Sequence, residues 1–300
     1  MIYTVTLNPS LDYHLDPGSL TPGGLHRCST PYYVAGGKGI CVSTVLTSLG
    51  VPNTALGFAG GFVGARICHM LNDMGIAHDF TQIKQTTRQN VKLDCTPETE
   101  LNAPGPTVTA AEWESLHEKV RALQKGDILI MSGSVCAGLP PNPYRILAQT
   151  AKDAGAEFVL DTTAENMADI LSLHPLFVKP NLQELCDIAG RSLVTHDEIT
   201  AACNELILQG TQAVLCTMGG DGAILVTPNG AHYCPAPAGD VVSTIGSGDS
   251  TVAGLCAMWD KTDREKLAFA VACGSASAFV AGLADKQQIM TLYKETLQWV

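Results

Sequence analysis

Short apolar runs alternate with longer amphipathic ones along most of this chain, and that alternation admits few folds. Runs at 2–7, 54–59, 127–131, 157–161, 177–179 and 213–217 have the length and apolar content of buried strands. The segments between them, 39–49, 63–74, 110–125, 142–154, 182–188 and 196–209, space their apolar residues as helices do. Alternation of this kind predicts an α/β fold with a mostly parallel sheet and helices on both faces. From position 250 onward the pattern is helical, with breaks near 260–263 and 285–288. At 300 residues the chain has room for one large domain and a small appendage.

Two stretches, about 12–33 and 88–103, break the alternation. The first is rich in Pro, Gly and aromatic residues; the second alternates polar and apolar side chains through Asn90-Val91-Lys92-Leu93-Asp94. Both read as short antiparallel strands inserted between sheet strands. Such strands form either a lid, which excludes water from group-transfer chemistry, or ordinary surface hairpins.

Charge and cysteine usage narrow the partners. With 29 acidic against 18 basic residues the net charge is −11, a field that disfavours nucleic acid and anionic membrane. The uncharged run at 267–284 is about half Ala, Gly and Ser, which suits a helix packed inside the protein better than a membrane span. Eleven scattered cysteines without a C-x-x-C pair read as free thiols in a reducing, cytoplasmic setting. The N-terminus opens on a strand, with no basic leader or cleavage site.

Five segments carry chemistry. In Gly246-Ser247-Gly248-Asp249-Ser250 two glycines permit a tight turn into a helix whose first N–H groups lack internal partners. Such groups suit a phosphoryl group in transfer, and Asp249 beside them is placed to accept the proton of an attacking alcohol. The plainer reading is that Asp249 only caps the helix. Gly36-Gly37-Lys38-Gly39 lacks the Ser or Thr of a Walker A loop, but its glycines bring backbone and an ammonium near a ligand, or simply start a helix. Asp161, followed by Lys179-Pro180-Asn181-Leu182-Gln183-Glu184, offers an amide oxygen and a carboxylate three apart, enough for Mg²⁺ held through its waters or for a helix cap. Thr217-Met218-Gly219-Gly220-Asp221-Gly222 allows a flat base to lie on the backbone, or is a hairpin turn. Arg88, Asn90 and Lys92 share one strand face, which suggests an anionic ligand in an acidic protein. Asp12 suits sugar hydroxyls; all four are equally compatible with solvated surface.

Taken in order, these motifs resemble those of the ribokinase-type (PfkB) carbohydrate kinases, nearly end to end. The likeness runs through Thr6-Leu7-Asn8-Pro9-Ser10-Leu11-Asp12, the Gly36–Ser43 loop, Thr87-Arg88-Gln89-Asn90-Val91-Lys92-Leu93, Leu101-Asn102-Ala103-Pro104-Gly105-Pro106, Ser132-Gly133-Ser134, Lys179-Pro180-Asn181 and Ser243 through Ser250. The opening and the Arg-x-Asn-Val-Lys strand are similar to the branch that phosphorylates sugar phosphates. The resemblance implies a ribokinase-like three-layer sandwich with a small β-sheet lid, forming a single kinase domain over 1–300.

It also implies ATP and Mg²⁺ as cofactors and a sugar phosphate as substrate. D-fructose 1-phosphate comes first, with tagatose 6-phosphate as the alternative and a non-catalytic sensor as the reading from another class. Asp249 would be the base, with Gly246, Ser247 and Gly248 forming the anion hole. Asp12, Gly36, Gly37, Lys38 and Asn90 would hold the sugar, and Arg88, Lys92 and Ser134 its phosphate. Lys179, Asn181 and Glu184 would serve the ATP phosphates and the metal, and Thr217, Met218, Gly219, Gly220, Asp221, Gly222 and Gly248 the nucleotide. Family members often dimerise through their lids, which would bring Arg27 to a neighbouring site. Cys41 stands where the family usually has Asn, Ser247 where it usually has Ala, and Met218 where it usually has Leu.

Overall fold

The structure, a computed structural model, describes residues 1–95, 99–161 and 169–300. Nine strands form one large sheet in the order β13-β12-β11-β10-β9-β8-β1-β4-β5. They are β1 (Ile2–Thr6), β4 (Asn53–Gly60), β5 (His78–Ile83), β8 (Ile128–Ser132), β9 (Glu157–Asp161), β10 (Phe177–Val178), β11 (Val214–Thr217), β12 (Ala223–Thr227) and β13 (Gly230–Cys234). All pairings from β5 to β11 are parallel; β12 pairs antiparallel with both β11 and the edge strand β13.

Helices cover both faces, and the period of two along each strand decides which face a side chain feeds. In β9, Phe158 and Leu160 join one core while Val159 joins the other; β8 divides Leu129 and Met131 from Ile130 in the same way. Both sides being covered, the strands read as unbroken apolar runs. The first core packs α3 (Ala110–Arg121), α4 (Pro143–Asp153), α5 (Leu182–Ala189) and α6 (His196–Leu208). The second packs α1 (Lys38–Leu49), α7 (Ser247–Ala257), α8 (Asp263–Ala278) and α9 (Lys286–Thr296). The uncharged run near the C-terminus is α8, buried along most of its length, as its small residues predict. Among the described residues no helix is long and apolar enough to cross a membrane.

Two kinds of helix start recur. Five helices, α3, α5, α6, α8 and α9, begin with reciprocal capping boxes such as Thr109 with Glu112 and Asp285 with Gln288. By contrast α1, α2 (Gly61–Asp73) and α7 begin after Gly37, Gly60 and Gly246, with no side-chain cap.

The two stretches that break the alternation supply a second sheet, in the order β3-β2-β6-β7. It contains β2 (Ser10–Asp16), β3 (Ser29–Gly36), β6 (Arg88–Leu93) and β7 (Thr99–Leu101). Positions 96–98 of the second stretch lie outside the described residues. The expected antiparallel pairing holds for β2 with β3 and for β6 with β7, but the central pair, β2 with β6, is parallel. A long connection through α1, β4, α2 and β5 separates those two strands, and parallel neighbours need such a crossover. Since β2 follows β1 and β3 leads into α1, this sheet stands at the C-terminal end of the large sheet, the end where open α/β sheets bind ligands.

Candidate active site

Asp161 ends β9 and is 2% exposed. One of its oxygens meets Lys179 at 3.3 Å and the other meets Lys38 at 3.3 Å. Burial alone pushes this carboxyl up, but Lys179 and Lys38 outweigh it and hold the group below the usual carboxylate range. Lys38 comes from the first turn of α1 and Lys179 from the loop after β10, so Asp161 joins two distant parts of the chain. The sequence reading quoted Asp161 without a role; its signal was a lone charge closing an apolar strand.

Asp249 is the third residue of α7 and is 7% exposed. The turn before it depends on Gly246, whose φ of 78° is left-handed and whose added Cβ would stand 2.6 Å from the Leu283 side chain. No side chain caps α7: the Ser247 amide donates to the Thr244 carbonyl at 3.3 Å, and the amides of Gly248 and Asp249 have no partner among the described residues. Burial and the nearby Asp161 raise the Asp249 carboxyl to about 7, against the opposing pull of Lys38, Lys179 and the Cys41 thiol. The two carboxylates thus diverge: Asp161 is ionised and doubly paired, whereas Asp249 is balanced near neutrality, where a general base is effective.

A cleft of about 890 Å³ opens from this pair. Lys38, Lys179, Asn181, Glu184, Thr217, Gly219, Gly220, Gly222, Gly246, Ser247, Gly248 and Asp249 all line it; Met218 and Asp221 do not. The expected turn is present, Gly219–Asp221 being a 3-10 turn that joins β11 to β12, and the glycines on it line the cleft. Asn181 and Glu184 do form a cap: Asn181 Oδ1 accepts from the Glu184 amide at 2.9 Å, and Glu184 Oε2 accepts from the Asn181 amide at 2.8 Å. They also face the cleft, so capping does not withdraw them from it. The wall from Ala236 to Val241 also lines the cleft and went unmarked in the sequence, where its small residues look like any loop.

The sugar-side candidates gather on the second sheet. Asp12 Oδ1 accepts from Asn90 at 2.8 Å and from the Ser10 hydroxyl at 2.7 Å. A Cβ on Gly36 would fall 2.5 Å from Asp12 Oδ2, and one on Gly37 would fall 2.5 Å from Thr6, so this loop needs its glycines. Arg88 donates to the Asn8 carbonyl at 3.0 Å and the Ala103 carbonyl at 3.2 Å, while its buried Nε has no partner among the described residues. Ser134 joins this group through Asn8 Nδ2, 3.4 Å away. Lys92 is 8% exposed and already engaged, donating to Glu100 at 2.7 Å and Asn102 at 3.2 Å. Asn8, Glu100 and Asn102 were not singled out, because only the folded pairing shows what they touch. Cys41 lies on the first turn of α1, and burial, with the charges of Asp249 and Asp12, pushes its thiol well above the ordinary range.

The profile described as "pfkB family carbohydrate kinase" matches residues 6–289. The chain is 38% identical over 297 residues to the 1-phosphofructokinase of Bacillus subtilis, covering 98% of each chain. It is 34% identical over 288 residues to the tagatose-6-phosphate kinase of Staphylococcus epidermidis, covering 93% of this chain and 92% of that one. Its fold is similar to that of phosphofructokinase-2 from Escherichia coli in complex with substrates and products, with a TM-score of 0.94, 29% identity, and 98% and 99% of the two chains covered.

Proposed function

This chain belongs to the pfkB family of carbohydrate kinases, and from that premise we propose that it transfers the γ-phosphoryl group of ATP to the 6-hydroxyl of D-fructose 1-phosphate, giving fructose 1,6-bisphosphate. The observation that carries the reading is Asp249: a buried carboxyl raised to about 7 at the uncapped, glycine-led start of α7. In the reaction the 6-hydroxyl oxygen forms a bond to the γ-phosphorus as the bond to the β–γ bridging oxygen breaks, leaving ADP. The hydroxyl proton passes to Asp249. The amides of Gly246, Gly248 and Asp249, unpartnered among the described residues, face the oxygens of the transferred group, and Lys38 and Lys179 offset its charge. Asp12 and Asn90 orient the sugar hydroxyls, while Arg88, Ser134 and Lys92 receive the 1-phosphate at the far end.

Asn181 and Glu184 fit an Mg²⁺ that travels with ATP. Mutual capping uses one oxygen of each side chain, the Glu184 carboxylate keeps a second, and Mg²⁺ is ordinarily held by few protein oxygens, with water and phosphate completing its shell. When bound, the metal supplies charge neutralisation on the phosphates. Exposed Tyr32, Tyr33, Val34 and Leu101 on the second sheet support pairing of two copies through their lids, and Arg27 would then approach the neighbour's site. Eleven scattered cysteines without a C-x-x-C pair support a reducing, cytoplasmic setting.

A coupled assay of ATP consumption tests the substrate. Fructose 1-phosphate is expected to give a higher kcat/KM than tagatose 6-phosphate, fructose 6-phosphate or ribose. A preference for ribose overturns the role of the lid cations, and a preference for tagatose 6-phosphate or fructose 6-phosphate reverses the placement of the phosphate.

A further inference from the structure

Resting on the reading of Arg88 as a receiver of the 1-phosphate, we infer that Asn8 is the positioning residue that sets Arg88 for that phosphate. Asn8 lies between β1 and β2 and is 4% exposed. Its main-chain carbonyl accepts from Arg88 Nη2 at 3.0 Å, and its side-chain Nδ2 donates to the Pro104 carbonyl at 3.2 Å. Pro104 follows Ala103, whose carbonyl accepts from Arg88 Nη1 at 3.2 Å. One amide side chain thus ties together the two carbonyls that hold Arg88. The same Nδ2 lies 3.4 Å from the hydroxyl of Ser134, on the loop after β8, which is the second candidate for the phosphate. Four separate segments of the chain, at 8, 88, 103–104 and 134, meet at this one residue.

The residue type fits that task. A carbonyl only accepts, so the amide nitrogen and not the amide oxygen faces Pro104, and its two N–H groups account for the contacts with Pro104 and Ser134. Asn8 Oδ1, by contrast, is buried with no partner among the described residues. A buried acceptor left unpaired is costly, and an apolar side chain would avoid that cost, so the donors are what the amide supplies. Gly105 makes the room: its φ of 97° is left-handed, and a Cβ there would fall 2.2 Å from Asn8 Oδ1. The carbonyls of Asn8 and Ala103 fix the plane of the Arg88 guanidinium, and a planar fork matches a phosphate only when its plane is right. Asn8 carries no charge of its own, so its effect on a phosphate runs through Arg88 and Ser134.

The test is a double-mutant cycle on the full chain, with Asn8→Ala, Arg88→Ala and the two combined, read by steady-state kinetics with fructose 1-phosphate and ATP. Asn8→Ala is expected to raise KM for fructose 1-phosphate roughly tenfold, to change kcat by less than about threefold and to leave KM for ATP nearly unchanged. In the Arg88→Ala background the same substitution should cost less than about threefold, because the group it positions is gone. Effects of the two substitutions that simply multiply overturn the inference. So does an equal rise in both KM values, or a loss confined to kcat, either of which would make Asn8 a part of the general framework. Thermal melting checks folding, and if Asn8→Ala does not fold, Asn8→Ser, which keeps one donor, takes its place in the cycle under the same criteria. Arg88→Ala alone separates the two levels. If it leaves KM for the sugar phosphate unchanged, the placement of the phosphate is wrong; if it raises that KM while the two effects multiply, only the role of Asn8 falls.

Discussion

The rim of the large sheet and the second sheet both bury charge, and they treat it in opposite ways. At the rim, Asp249 has no cation paired to it among the described residues, because Lys38 and Lys179 both bond to Asp161. On the second sheet the charges, buried at Lys92 and half-buried at Asp12 and Arg88, already have partners: Lys92 has Glu100 and Asn102, Asp12 has Ser10 and Asn90, and Arg88 has two carbonyls for its terminal nitrogens. A group left uncompensated is chemically ready, and the fold bears a cost for keeping it so. A group already compensated must exchange partners when a ligand arrives, so it confers selectivity at the expense of raw affinity.

The sharpest way to break this contrast is Asp249→Asn. It is expected to lower kcat by about 10²–10⁴ with little change in substrate affinity, read by steady-state kinetics. The same variant should melt at a higher temperature than the intact protein at pH 8, but not at pH 4. Asp249 titrates near 7 when folded and near 4 when unfolded, so folding binds a proton between those values. The ionised carboxylate is therefore a burden that is absent below the lower value and complete above the upper one. If the variant melts lower at pH 8, the carboxylate is compensated and the contrast fails.

A smaller effect is expected from Arg88→Ala, which should raise KM for the sugar phosphate by roughly 10–100-fold and leave KM for ATP nearly unchanged. Equal loss for both ligands would remove Arg88 from the sugar side. The smallest effect sharpens the second half of the comparison. Glu100→Gln releases Lys92 from its ion pair and should lower KM for the sugar phosphate by about two- to fivefold. A rise in KM instead would make the pair part of the lid's framework.

What the sequence made legible follows from where its residues are constrained locally. The cap of Asn181 with Glu184 and the glycines at 36, 37 and 246 are visible because backbone geometry dictates the residue type. The strand at 157–161 and the helix starting at Leu182 are visible from periodicity. Strands β5 and β13 are not, because they lie at the sheet's edges, where polar residues such as His78, Gln82 and His232 dilute the apolar run. The antiparallel partner β12 was read only as the far side of a glycine turn. Contacts between distant residues leave no local trace: Lys38 and Asp161 are 123 positions apart, and Asp12 and Asn90 are 78 apart. For the same reason Asp161 and Glu100 acquired roles only once their partners were in place.

Asp161 gives a single oxygen to each of two lysines, one from the first turn of α1, on the proposed sugar side, and one from the loop after β10, on the proposed nucleotide side. Any ligand that draws one lysine away changes the counter-charge felt by the other. The two substrates therefore share an electrostatic ledger even where they do not touch, and each must alter the other's affinity by the same factor.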